Sequence, residues 1–111
     1  MKTKQMKPSE AMLKGFAMAG GHQYVGWFYE GDARYPNAVC AIGAMRLGYT
    51  GNAGGSLITP KLSKTISAAF NAFLKEFDCS FTEANDGNAR EQSGVPMSIP
   101  DIAGILASEG Y

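Results

Sequence analysis

Ten of the fourteen glycines in this 111-residue chain fall between Gly15 and Gly55, and that crowding limits the fold more than any other feature. Glycine ends a helix in the left-handed region, permits a tight turn, or lets two backbones come into contact. A front half so punctuated is built from short elements and turns, not from one long helix or a broad sheet. Gly20, Gly48 and Gly110 read as helix stops and Gly43 as a close-packing position, while Gly51 to Gly55 form a loop.

The stretches between the glycines carry the element signals. Pro8 stands at a first helical position with Glu10 behind it, which predicts a helix over 8–19 with Met12, Leu13, Phe16 and Ala17 on its core face. The aromatic run 22–29 and the turn-rich 31–37 predict a strand and a reversal, a short hairpin ending near Val39. A second helix is expected over 38–47, capped by Asn37, with Ala41, Gly43 and Ala44 small enough for close approach. Thr59-Pro60 opens a third, where Leu62, Ile66, Phe70, Phe73, Leu74 and Phe77 step down one face. Ser98 and Asp101 form a capping box for a fourth, with Pro100 in its first turn and Ile99, Ile102, Ile105 and Leu106 as its buried stripe. The expected fold class is α+β, mainly helical, with about four helices packed around a short β-hairpin. Residues 1–111 make a single domain, with 1–7 as a flexible N-terminal tail.

The bulk numbers exclude several classes. At 45% hydrophobic and 18% charged, the chain has apolar material for one core and is not a solvated disordered polymer. Zero net charge argues against general nucleic-acid binding, since phosphate affinity needs an excess of Lys and Arg. That zero is a cancellation: residues 1–75 sum to +6 and residues 76–111 to −6, so folding or binding is expected to respond to salt. The start MKTKQMK is basic like a secretory leader, but Pro8, Glu10 and Lys14 interrupt any apolar stretch, and no run approaches the roughly 18 residues of a spanning helix. Two cysteines, Cys40 and Cys79, have no zinc spacing, and a reducing, cytoplasmic setting fits them, with one disulfide between them left open.

Val39-Cys40-Ala41-Ile42-Gly43-Ala44, the later Asn85-Asp86 pair and the helix beginning at Asp101-Ile102-Ala103 together resemble a family of small bacterial and phage proteins of unknown function. The order of elements matches over about residues 10–110, with Ala84 where that family usually has a bulky residue, and with a longer connection from Asn85 to Ser98. The resemblance implies a compact, mostly helical accessory protein of phage or mobile-element origin.

Four constellations carry candidate chemistry. Cys40, placed in the first turn of helix two, would have amides to favour a thiolate, and His22 with Asp86 or Asn85 would complete a Cys-His-Asp or Cys-His-Asn arrangement for a small hydrolase or transferase. The bland reading, a small buried hydrophobe, is the commoner use of a free cysteine. Asn85-Asp86-Gly87-Asn88 lacks the ligand alternation of a calcium loop, since Met97 stands twelfth from Asp86; the ordinary use of such residues is to satisfy turn or helix-end amides. The glycine loop running into Thr59-Pro60-Lys61 has no phosphate-loop pattern and reads as a plain connection. Tyr24, Trp27, Tyr29, Arg34 and Tyr35 are the candidate binding residues, because aromatic side chains with an arginine nearby are the usual anchors of an interface. The sequence therefore favours a non-catalytic protein-binding module, an accessory protein inhibiting or modulating a host protein, without metal or cofactor and without membrane contact. Its partner would be a host or phage protein. The Cys40 enzyme and a structural or homo-oligomeric component are the alternatives.

Overall fold

The computed structural model describes residues 6–25, 28–77, 84–85 and 97–111. They form, in chain order, α1 (Pro8–Met18), β1 (Tyr29–Gly31), β2 (Pro36–Val39), α2 (Ala41–Thr50), α3 (Pro60–Phe77) and α4 (Ile99–Ser108). The fold is mainly helical α+β, with β1 and β2 as an antiparallel pair. Tyr29 faces Val39 and Glu30 faces Ala38; the register then shifts, so that Gly31, at φ +94°, faces Pro36 and Asn37 is left over as a bulge. On its other side Val39 pairs in parallel with Gln23, donating to the His22 carbonyl at 3.0 Å and accepting from Tyr24 N–H at 2.7 Å. The 22–29 run is thus a bridge followed by a strand, not one strand.

The core joins α1, α2 and α4, with α3 laid against α4 and α1. Met12, Met45, Leu47, Phe73, Ile99, Ile102 and Leu106 are fully buried, each contributing about 1.5–3 kcal/mol of transfer free energy. Along the α1–α2 contact the helices meet backbone to backbone. A methyl group on Gly15 would overlap the Ala44 carbonyl, and one on Gly48 would overlap the Ala11 carbonyl.

That contact explains where the expectations miss. The buried side of α1 is Ala11, Met12, Gly15 and Pro8-Ser9, while Leu13 and Ala17 are exposed and Phe16 is half-buried. Close approach at Gly15 turns Leu13 and Ala17 outward, while Met12 stays buried and Phe16 packs at the edge of the core. Gly48 is not a stop, because it lies inside α2; Gly51, at φ +77°, holds the left-handed cap and donates to the Leu47 carbonyl. Nor does α2 begin at Ala38 under an Asn37 cap. Residues 36–39 are committed to the sheet, and Cys40 is the cap. Met6 and Lys7, expected in a tail, are engaged: the Met6 carbonyl accepts from Tyr49 Oη at 2.8 Å, and Lys7 N–H donates to Glu10 Oε1 at 3.0 Å. By contrast α3 and α4 start where their Pro60 and Ser98 signals predict, with Ser98 Oγ accepting from Asp101 N–H at 3.2 Å.

The glycine loop is tied in place. Thr50 Oγ1, whose proton goes to the Arg46 carbonyl at 2.8 Å, accepts from Asn52 N–H at 3.1 Å, Asn52 Oδ1 accepts from Gly54 N–H at 2.8 Å, and Ala53 N–H donates to the Ala33 carbonyl in the hairpin turn at 2.7 Å. No described helix is long and apolar enough to cross a membrane.

Candidate functional site

The start of α2 is assembled from four stretches of chain. Asn85, fully buried, accepts at Oδ1 from Ala41 N–H at 3.0 Å and from Gln23 Nε2 at 2.9 Å, and donates from Nδ2 to the Tyr24 carbonyl at 2.9 Å. Gln23 donates also to the Met97 carbonyl at 2.7 Å and accepts from Ile99 N–H at 2.8 Å. Two side-chain amides therefore join the bridge strand, the first turn of α2, residues 84–85 and the first turn of α4. Asn85 satisfies a helix-end amide, the ordinary use read from its sequence.

Cys40 belongs to this same closed region. Its Sγ accepts from Gly43 N–H at 3.5 Å, its own N–H donates to the Phe28 carbonyl at 3.0 Å, and it has no exposed surface. It precedes α2 as the cap; it is not in the first turn, where the sequence placed it. No substrate reaches its sulfur in this conformation, and His22 is exposed. Asp86 and Cys79 lie outside the described residues, as does Trp27. Among the described residues no three of His, Cys, Asp and Glu gather as a metal site would require.

The aromatic candidates divide. Tyr29 is half-buried and packs on the core, Tyr24 is half-buried, and Arg34 and Tyr35 are exposed at the hairpin turn, Tyr35 at 82%. Arg34 N–H donates to Asp32 Oδ1 at 2.8 Å, which shapes that turn.

A concavity among the described residues lies elsewhere. A groove of about 500 Å³ separates α2 from α3 and is closed at one end by the glycine loop. Ile42 and Arg46 line it from α2, Gly55, Ile58 and Thr59 from the loop, and Pro60, Ser63, Ile66, Ser67 and Phe70 from α3. Its volume is that of a ligand pocket, and its walls mix apolar side chains with a few polar groups as such pockets do. Thr59 Oγ1 accepts from Leu62 N–H at 3.1 Å, so the cap of α3 forms part of the wall. Arg46 is half-buried, its guanidinium carbon 4.6 Å from the centre of the Phe28 ring, a cation–π stack worth about 0.5–1 kcal/mol or more. Arg46 is the one charged residue of α2, and that isolation in an otherwise apolar, small-residue helix was the available sequence signal. The other walls come from segments that no spacing rule connects.

No known family model, curated protein or solved structure matches the chain.

Proposed function

We propose that the chain is a non-catalytic binding module that receives a segment of a partner protein in the groove between α2 and α3. The observation that carries this reading is the groove itself, about 500 Å³ with Ile42, Ile58, Ile66 and Phe70 open to it around a single stacked arginine. Leu57, half-exposed on the loop, extends the apolar surface close to its end. A buried thiol held as a helix cap favours this reading over Cys40 chemistry. The setting, an accessory protein of phage or mobile-element origin that inhibits or modulates a host protein, follows from the resemblance at Val39 to Ala44 and is part of the proposal.

The test is capture from host lysate with the wild type and with Ser67→Trp, which fills the groove from an exposed helix position. A protein retained by the first at near-stoichiometric yield and lost by the second, with unchanged circular dichroism, supports the reading. Equal retention by both moves recognition to another surface, such as Arg34 and Tyr35. Absence of any near-stoichiometric partner counts against a binding module altogether.

A further inference from the structure

The walls of the groove specify the chemistry of what enters it. Among the described residues no carboxylate pairs with the Arg46 guanidinium, and none of the residues lining the groove is acidic. A half-buried guanidinium gains most from a carboxylate, which it meets with two parallel N–H···O bonds. Stacking on Phe28 holds its plane before any ligand arrives, which reduces the side-chain entropy lost on binding. Lys64 is exposed and falls three residues before Ser67 and four after Pro60, adjacent to both on the helix surface, so a second cation borders the groove.

The remaining walls interleave apolar side chains with the hydroxyls of Thr59, Ser63 and Ser67 and run lengthwise. On α3, Ser63, Ile66, Ser67 and Phe70 follow the spacing of one continuous helical strip. From Pro60 to Phe70 that strip extends about 15 Å at 1.5 Å per residue. The length suits two to three turns of a docked helix, the arrangement in which an amphipathic segment lays its apolar side into a groove. A free small carboxylate would engage Arg46 and leave most of the strip bare.

On these grounds, and resting on the groove reading above, we infer that the occupant is an acidic amphipathic segment of a partner polypeptide. One Asp or Glu carboxylate pairs with Arg46, and apolar side chains three and four residues away cover Ile42, Ile58, Ile66 and Phe70.

The test is selection of a displayed library of random 16-residue peptides on the folded full chain, followed by fluorescence anisotropy of the strongest synthetic peptide. Enriched sequences should carry an Asp or Glu flanked by apolar residues at helical spacing. Arg46→Met, which keeps an apolar stem against Phe28, should weaken that peptide at least tenfold. Replacing the peptide's acid by its amide should cost about as much, and the two changes together little more than either alone. Arg46→Lys should fall between. Acid-free peptides that Ser67→Trp still blocks would overturn the carboxylate pairing while leaving the groove reading standing. Binding unaffected by Ser67→Trp would overturn both, and so would failure to enrich any peptide. Self-association that Ser67→Trp abolishes would replace the partner with a second copy of this chain and overturn the inference.

Discussion

Gln23 Nε2 and Asn85 Oδ1 meet at 2.9 Å across 62 residues of sequence, and the same two amides also bond the backbone of Tyr24, Ala41, Met97 and Ile99. The pair does for this fold what a disulfide does elsewhere, joining distant stretches through one contact, but by complementary donors and acceptors.

Asn85→Ala leaves the Ala41 N–H and the Tyr24 carbonyl without their side-chain partner in a closed interior. We expect a loss of about 2–4 kcal/mol of unfolding free energy, measured by urea denaturation. Gln23→Ala should cost a comparable amount, and the double substitution should fall short of the sum by more than about 0.5 kcal/mol, since both act on one network. Additive losses would mean that the two amides work independently.

Glycine-to-alanine substitutions should separate by position. Gly104, exposed on α4 with open space where a methyl would go, should gain about 0.5–1 kcal/mol from the better helix former. Gly48→Ala and Gly15→Ala drive a methyl into the carbonyls of Ala11 and Ala44, and each should lose about 2 kcal/mol or more as α1 and α2 move apart. Thermal melts of the three variants decide it; a stabilised Gly48→Ala would rule out the backbone contact.

Burial, and secondarily the Glu10 carboxylate, push the Tyr49 phenol up from its usual 10 to about 12. Between those values the unfolded chain has released a proton that the folded chain retains, so stability falls as pH rises through this window and the contribution is complete below pH 10. Tyr49→Phe should lower stability at neutral pH by about 1 kcal/mol, through loss of the bond to the Met6 carbonyl. The gap between wild type and variant should narrow above pH 10 and close before pH 12. A constant gap across that range would mean the phenol is not held protonated.

Cys40 should be protected. In a Cys79→Ser background, native protein should react with a thiol probe at least about a thousandfold more slowly than urea-unfolded protein, as burial in a domain of ordinary stability requires. His22→Ala, at an exposed side chain, should change stability by less than about 0.5 kcal/mol. Rapid native labelling at Cys40 would reopen the thiol chemistry that burial closes.

Sequence was a good guide wherever one local signal acted alone. Pro60 behind Thr59, followed by Leu62, Ile66 and Phe73, admitted one reading, and so did Ser98 with Ile99, Ile102 and Leu106. It failed where two signals competed for the same residues. Asn37 is a better helix cap than Cys40 by propensity, but pairing with β1 claims residues 36–39 first, and the sulfur inherits the cap. Leu13 outweighs Gly15 in hydrophobicity, yet a glycine permits backbone contact that no side chain can match, so α1 turns Gly15 inward beside Ala11 and Met12 and leaves Leu13 outside. The groove was out of reach for a third reason. Its walls are set by how far α3 stands from α2, a spacing that depends on Asn52 and Ala53 in the loop between them, on Thr50 at the end of α2, and on the packing of α3 on α4 and α1.

Phe28 serves both regions at once: its carbonyl receives the Cys40 N–H and abuts Gly43, while its ring supports Arg46. Whatever engages Arg46 therefore acts on a residue bonded to the cap of α2. Occupancy of the groove should thus be felt at the Cys40 amide, whose bond to the Phe28 carbonyl makes its hydrogen exchange a reporter of the ligand that needs no attached dye.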